Sequence, residues 1–122
     1  MAKILIVDDE VNVRKLYGEE LRNEGYDTVS AGTVTEALAA VEKENPDLIV
    51  LDIKLGEESG IECLMNIVKQ RKGLPVILNS AYSVYRDNFQ TWAADAYIVK
   101  SVDLAPLKEK IKDLLMARSV QV

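Results

Sequence analysis

The stretch Asp47-Leu48-Ile49-Val50-Leu51-Asp52-Ile53 decides the fold. Four large aliphatic residues in a row are too few for a globular helix, and they lack the alternation of a strand with one wet face. A strand covered on both faces, as in a parallel sheet, accounts for the run. Pro46 precedes it and punctuates the end of the segment before. Asp52 closes it, so a carboxylate stands at the carboxyl end of a buried strand, where open α/β sheets gather their ligands. An aspartate there also serves as a cap for a loop or a helix start. The stretches on either side decide between these readings.

Before the central strand, Lys3-Ile4-Leu5-Ile6-Val7 repeats the buried-strand pattern and also ends in acid, Asp8-Asp9-Glu10. A helix is expected from about Val11 to Glu24, with Val13, Leu16, Tyr17 and Leu21 on its inner face and Gly25 at its end. Asp27 to Ala31 alternates as a short strand, and alanine-rich Thr33 to Lys43 reads as a helix facing inward with Ala37, Leu38 and Val41. After the central strand comes a loop, Lys54 to Gly60, and a helix from about Ile61 to Arg71 burying Ile61, Leu64, Met65 and Val68. Pro75 to Asn79 is a fourth strand ending at Ser80, followed by a weaker helix, Val84 to Ala93, that carries Phe89 and Trp92. Ala96 to Val99 is a fifth strand ending at Lys100. Asp103 then caps a last helix with Leu104, Leu107, Ile111, Leu114 and Leu115 on its buried stripe. One domain over residues 1–117 is expected, with 118–122 as a C-terminal tail.

Strands that alternate with helices imply right-handed crossovers and a parallel sheet covered on both faces. The expected fold is therefore α/β, a flavodoxin-like (βα)5 doubly wound sheet with strand order 2-1-3-4-5. The 122 residues suit one domain, and 48% apolar with 29% charged residues describe a globule. A net charge of -5 argues against nucleic acid and against anionic membranes as partners. No apolar run is long enough to span a membrane, and a cytoplasmic protein is expected. The lone Cys63 forms no internal disulfide and reads as a plain helix residue, since nothing basic near it in sequence activates a thiolate. Histidine is absent, which removes Ser-His and Cys-His catalysis and His-ligated metal sites. Chemistry is left to carboxylates, lysines and hydroxyls.

The strand order brings Asp8, Asp9 and Asp52 into one pocket, with Ser80 and Lys100 at neighbouring strand ends. Clustered carboxylates repel, and burial disfavours their charge further. A hard divalent cation relieves both, and oxygen donors with water suit Mg²⁺. No glycine-rich phosphate loop signals a nucleotide. A cation, a lysine and a hydroxyl around one carboxylate make a site for phosphoryl transfer, and aspartate is an established covalent acceptor. Asp8 and Asp9 are adjacent and suit a metal bracket; Asp52 stands alone and is the better nucleophile.

Val7-Asp8-Asp9-Glu10, Pro46-Asp47-Leu48 with Leu51-Asp52-Ile53, Pro75-Val76-Ile77 with Ser80-Ala81, and Ala94-Asp95-Ala96-Tyr97 with Lys100 resemble the receiver domain of two-component response regulators. Each motif is weak alone; in this order, from about Lys3 to Leu115, they are strong together. The resemblance implies that Asp52 takes a phosphoryl group from a partner histidine kinase or histidine phosphotransfer protein. It implies Mg²⁺ held by Asp9 directly, by Asp8 largely through water, by Asp52, and by the backbone carbonyl of Lys54. Ser80 and Tyr97 match the family's switch hydroxyl and switch aromatic. The implied output is a protein docking on the face made by Val84–Trp92, Ala96–Val99 and Asp103–Leu115, by a monomer or weak dimer that is a switch and no enzyme.

The sequence also departs from the family. Gly56 stands where proline is usual, so a looser loop is expected. Ser101 replaces the proline that usually follows Lys100, and a trans Lys100–Ser101 peptide is expected, because a cis bond to a non-proline costs about 2.5–4 kcal/mol. Asn79 stands where an apolar residue is common, and Phe89 and Ala93 where smaller residues are usual. Two other readings compete: a degenerate receiver that keeps the fold as an interaction module and is not phosphorylated, and a metal-dependent phosphatase with an aspartyl nucleophile. The second would want Asp-x-Asp after the first strand, where this chain has Asp8-Asp9.

Overall fold

The inner strands of the main sheet are aliphatic runs that end where the sequence turns polar. The computed structural model describes residues 1–81 and 93–120. In chain order the elements are β1 (Lys3–Val7), α1 (Val11–Asn23), β2 (Asp27–Ala31), α2 (Val34–Glu44), β3 (Leu48–Leu51), β4 (Lys54–Leu55), β5 (Glu58–Ser59), α3 (Gly60–Gln70), β6 (Val76–Ser80), β7 (Ala96–Val99) and α4 (Ala105–Val120). The expected helix Val84 to Ala93 lies almost wholly outside the described residues.

Five strands form one parallel sheet in the order β2-β1-β3-β6-β7, the expected doubly wound arrangement. The register pairs Val7 with Leu51 and Leu51 with Leu78, so the carboxyl ends of β1, β3 and β6 finish side by side. Asp8, Asp52 and Asn79-Ser80 follow or close those three ends. The side-chain alternation of each strand feeds two cores. Leu5, Val7, Ile49, Leu51, Val76 and Leu78 pack under α2 and α3, against Ala37, Val41, Cys63, Leu64 and Ile67. Ile4, Ile6, Leu48, Val50 and Ile77 pack under α1 and α4, against Tyr17, Leu21, Leu107 and Ile111. Each such aliphatic side chain contributes roughly 1.5–3 kcal/mol on burial, before the entropy of ordering it.

Several local expectations shift. Leu16 is 50% exposed and Met65 39% exposed, whereas Tyr17, Gly18 and Leu21 line α1, and Cys63, Leu64 and Ile67 line α3. One residue is 100° of helix, so a single edge position of each stripe faces out, while the expected Val13, Tyr17, Leu21, Ile61, Leu64 and Val68 all pack inward. The Lys54–Gly60 loop folds into a small antiparallel hairpin, β4–β5, turned by Gly56 at φ 64°. A positive φ at the first turn position suits glycine, and it closes the segment read from sequence as a loop. The hairpin is tied at two points: Gly56 N–H donates to Asp9 Oδ2 (3.0 Å), and Glu58 Oε1 accepts from Val34 N–H (3.1 Å) at the start of α2. Thr33 caps α2, its Oγ1 accepting from Glu36 N–H, and Asp103 Oδ1 accepts from Ala105 N–H at the start of α4. The last helix continues to Val120, three residues past the expected end, and Arg118 Nη1 donates to the carbonyl of Asp47. The Lys100–Ser101 peptide is trans.

Candidate functional site

The crevice at the carboxyl edge of the sheet is assembled by main-chain bonds before any side chain is considered. Asp52 N–H donates to Val7 O (2.9 Å), Asp8 N–H to Ala31 O (3.1 Å), and Lys100 N–H to Ser80 O (2.7 Å). Each bond carries the ladder one residue past a strand end, so the residue that bears chemistry is held like a strand residue. Gly60 completes the wall. A Cβ there would stand 2.0 Å from Asp52 O and 2.7 Å from Ile53 Cα, so only glycine lets α3 start this close to the end of β3.

Asp52 is 6% exposed and Asp8 2% exposed. The ammonium of Lys100 reaches both, 2.7 Å from Asp8 Oδ2 and 3.0 Å from Asp52 Oδ2. The remaining oxygens are engaged by main chain: Asp52 Oδ1 accepts from Lys54 N–H (3.3 Å) and Asp8 Oδ1 from Glu10 N–H (2.9 Å). Arg14 Nη1 donates to the carbonyl of Asp8 (2.7 Å), fixing the turn from above. Burial pushes the Asp52 carboxyl above the usual carboxylate range, with the Asp8 charge adding to the rise; the bonds from Lys100 and Lys54 N–H oppose it without cancelling it. For Lys100, burial works against the charge, yet the bonds to Asp8 and Asp52 outweigh it and hold the ammonium above the ordinary lysine range. A fixed positive charge therefore sits at the pocket at any physiological pH.

Asp9 is exposed and faces the hairpin. Among the described residues, the acidic group whose ligand atoms lie within 4.8 Å of one another is Asp8, Asp9 and Glu10. Glu10 is thus the third carboxylate beside the two expected ones, while Asp52 shares Lys100 with Asp8. Sequence reading gave Glu10 no role, although it is part of the acid run after β1. The donors present fit a hard divalent cation: all are carboxylate or carbonyl oxygens, and each carboxylate oxygen has lone pairs beyond the bonds named. Ser80 is fully buried at the end of β6. Tyr97 is half-buried on β7 and packs on the cluster that contains Leu78, two residues before Ser80 on the same face of the sheet. Lys54 is exposed at the start of the hairpin.

Behind the pocket lies a polar pair that the sequence did not announce. Asn79, 2% exposed, points to the α1 side of the sheet, and its Nδ2 donates to the Tyr17 hydroxyl at 2.7 Å. Burial raises the phenol above its ordinary range; the bond from Asn79 and the charge of Lys100 lower it, and Asp8 and Asp52 raise it, so the hydroxyl lies in the field of the pocket. The signal available was an amide in the aliphatic run Val76-Ile77-Leu78-Asn79, but its partner is 62 residues away.

Comparison with known proteins bears on this arrangement. A family model described as the response regulator receiver domain matches residues 4–112. The chain is 34% identical over 119 residues to sporulation initiation phosphotransferase F of Bacillus subtilis, covering 96% of each. It is similar to the response regulator TrrA of Thermotoga maritima in complex with Mg²⁺-BeF, with 46% identity, TM-score 0.90, and 93% of this chain and 99% of that one covered. TrrA in complex with the histidine kinase ThkA matches with 47% identity, TM-score 0.88, and coverage of 94% and 99%. Other relatives are longer: the chain spans 51% of one and 26% of another.

Proposed function

We propose, from the premise that this chain belongs to the response regulator receiver domain family, that Asp52 is the residue phosphorylated in two-component signalling and that the domain acts as a switch. The observation that carries this reading is the Lys100 ammonium shared by Asp8 and Asp52 at the carboxyl edge of the sheet. In the transfer, a carboxylate oxygen of Asp52 forms a bond to phosphorus while the P–N bond of a partner phosphohistidine breaks, and the departing electron pair stays on the imidazole. Lys100 binds and orients the incoming phosphoryl group and offsets its charge, and Ser80 donates a hydrogen bond to one of its oxygens. Asp8, Asp9, Asp52 and the Lys54 carbonyl would hold Mg²⁺, which supplies charge neutralisation at the transferring oxygens. The Mg²⁺-BeF complex of TrrA supports that assignment by similarity.

The donor in this reading is a histidine kinase or histidine phosphotransfer protein, supported by the ThkA complex of TrrA. The chain holds no histidine and so is not its own phosphohistidine donor. We read the protein as a phosphoryl acceptor with no further enzymatic activity, working in the cytoplasm. Ser80 and Tyr97 would couple the phosphoryl group to the face of β7 and α4, where a downstream protein docks; the Val84–Trp92 part of that face is outside the described residues. Among the described residues no helix is long and apolar enough to cross a membrane.

The test is labelling of the intact chain by acetyl phosphate with Mg²⁺, followed by mass spectrometry. One phosphoryl group on the wild type and none on Asp52→Asn is the expected result. Equal labelling of the two, or labelling that persists in chelator, overturns the reading.

A further inference from the structure

Helix α1 packs on β1 and β2, and two of its side chains reach the segments on either side of β3. Arg14 Nη1 holds the carbonyl of Asp8 at the end of β1, and three residues later the Tyr17 hydroxyl accepts from Asn79 Nδ2 on β6. β1 and β6 are the two neighbours of β3 in the sheet, and Asp52 follows β3. Residues three apart lie on one side of a helix, and from that side the arms diverge, Arg14 toward Asp8 and Gly32 and Tyr17 toward β6.

We propose that Tyr17 and Asn79 are positioning residues for the phosphoacceptor site: their hydrogen bond ties α1 to β6 and fixes the strand end that carries Ser80 and holds Lys100 over Asp52. The chain of contacts is continuous. Asn79 and Ser80 are consecutive on β6, so an anchored Asn79 side chain sets where the Ser80 hydroxyl and carbonyl lie. The Ser80 carbonyl accepts from Lys100 N–H (2.7 Å), and the Lys100 ammonium reaches Asp52 Oδ2 (3.0 Å). A buried neutral pair adds little net stability over two apolar side chains of the same shape. The ladders to β3 and β7 already fix the position of β6; what the pair adds is orientation at its end, where a directional bond of 2.7 Å holds the Asn79 side chain and an apolar contact would not.

This inference rests on the phosphoacceptor reading of Asp52, and its test separates the two. Tyr17→Phe, Asn79→Leu and the double variant are compared with wild type and with Tyr26→Phe. The control makes the same chemical change at a phenol on the same side of the sheet, in the same cluster. Urea unfolding gives stability, and phosphorylation by acetyl phosphate at saturating Mg²⁺ gives the maximal rate and the half-saturating donor concentration. Each single variant of the pair loses stability, and the double variant regains it because no buried polar group is left unpaired. The double variant nonetheless keeps a maximal rate on the order of tenfold low, less than the roughly hundredfold that a 1 Å misplacement costs, with the half-saturating concentration unchanged. Tyr26→Phe is labelled at the wild-type rate.

A double variant that recovers rate together with stability overturns the inference alone. A wild-type chain that takes no label removes the reading beneath it and the inference with it. Should Asn79→Leu fail to fold, Tyr17→Phe, which removes one oxygen, carries the comparison: a wild-type maximal rate in that variant overturns the inference.

Discussion

Lys100 and Asp52, 48 residues apart in the chain, meet with 3.0 Å between Nζ and Oδ2. The same ammonium lies 2.7 Å from Asp8, so a metal ion entering the pocket meets a cation already at work between the two carboxylates. Lys100→Met is therefore expected to strengthen Mg²⁺ binding, measured by calorimetry, while slowing phosphorylation on the order of a hundredfold or more, because a preplaced charge on the transferring oxygens is lost. Weaker Mg²⁺ binding in the variant would count against the ion pair as the competitor.

The linkage for Asp52 has a definite sign. Its carboxyl is raised by burial, so its contribution to stability is present in full below the unfolded carboxylate range, about pH 4, and is lost as pH rises through the folded value. At neutral pH in chelator, Asp52→Asn is expected to unfold at higher urea than wild type. Saturating Mg²⁺ narrows the gap by offsetting the charge of the carboxylate. The comparison at low pH, where both side chains are neutral, should show no gap.

Gly60→Ala places a methyl 2.0 Å from the carbonyl of Asp52. Backbone on both sides cannot yield as a flexible side chain would, and a loss of about 3 kcal/mol in urea unfolding is expected. Labelling is expected to fall with it, since the same shift moves the proposed acceptor, Asp52.

Cys63 is fully buried, and burial with the nearby Glu58 charge pushes its thiol up to about 11. Iodoacetamide at pH 8 should leave it unmodified in the native protein and alkylate it in urea. Rapid native modification would show that α3 opens locally.

Ser80 and Tyr97 are the expected switch pair. Beryllofluoride with Mg²⁺ is expected to shift the amide resonances of β7 and α4 in wild type, and those shifts should shrink in Ser80→Ala. Equal shifts in both proteins would break the proposed coupling.

The sheet was legible because parallel strands covered on both faces leave bare aliphatic runs, as in Leu48-Ile49-Val50-Leu51. The pocket was legible because its acids and its lysine end those runs, and a strand end has one address in this topology. Helix faces were less so: Leu16 and Met65 sit at the edges of apolar stripes, where one step decides exposure. The β4–β5 hairpin has two-residue strands with no period to read, and only Gly56 hinted at it. Contacts such as Asn79 with Tyr17, or Arg118 with Asp47, join residues whose separation no local pattern encodes.

The hairpin has one more consequence. Its turn amide, Gly56 N–H, is bonded to the carboxylate of Asp9. Solvent exchange at that one amide then reports the state of an acid that has no signal of its own. When a cation or a phosphoryl group draws the Asp9 carboxylate away, Gly56 loses its acceptor and its proton exchanges faster. When the carboxylate serves both, the proton stays protected. A single slow or fast hydrogen in the turn thus records whether the metal bracket and the hairpin share Asp9 or compete for it.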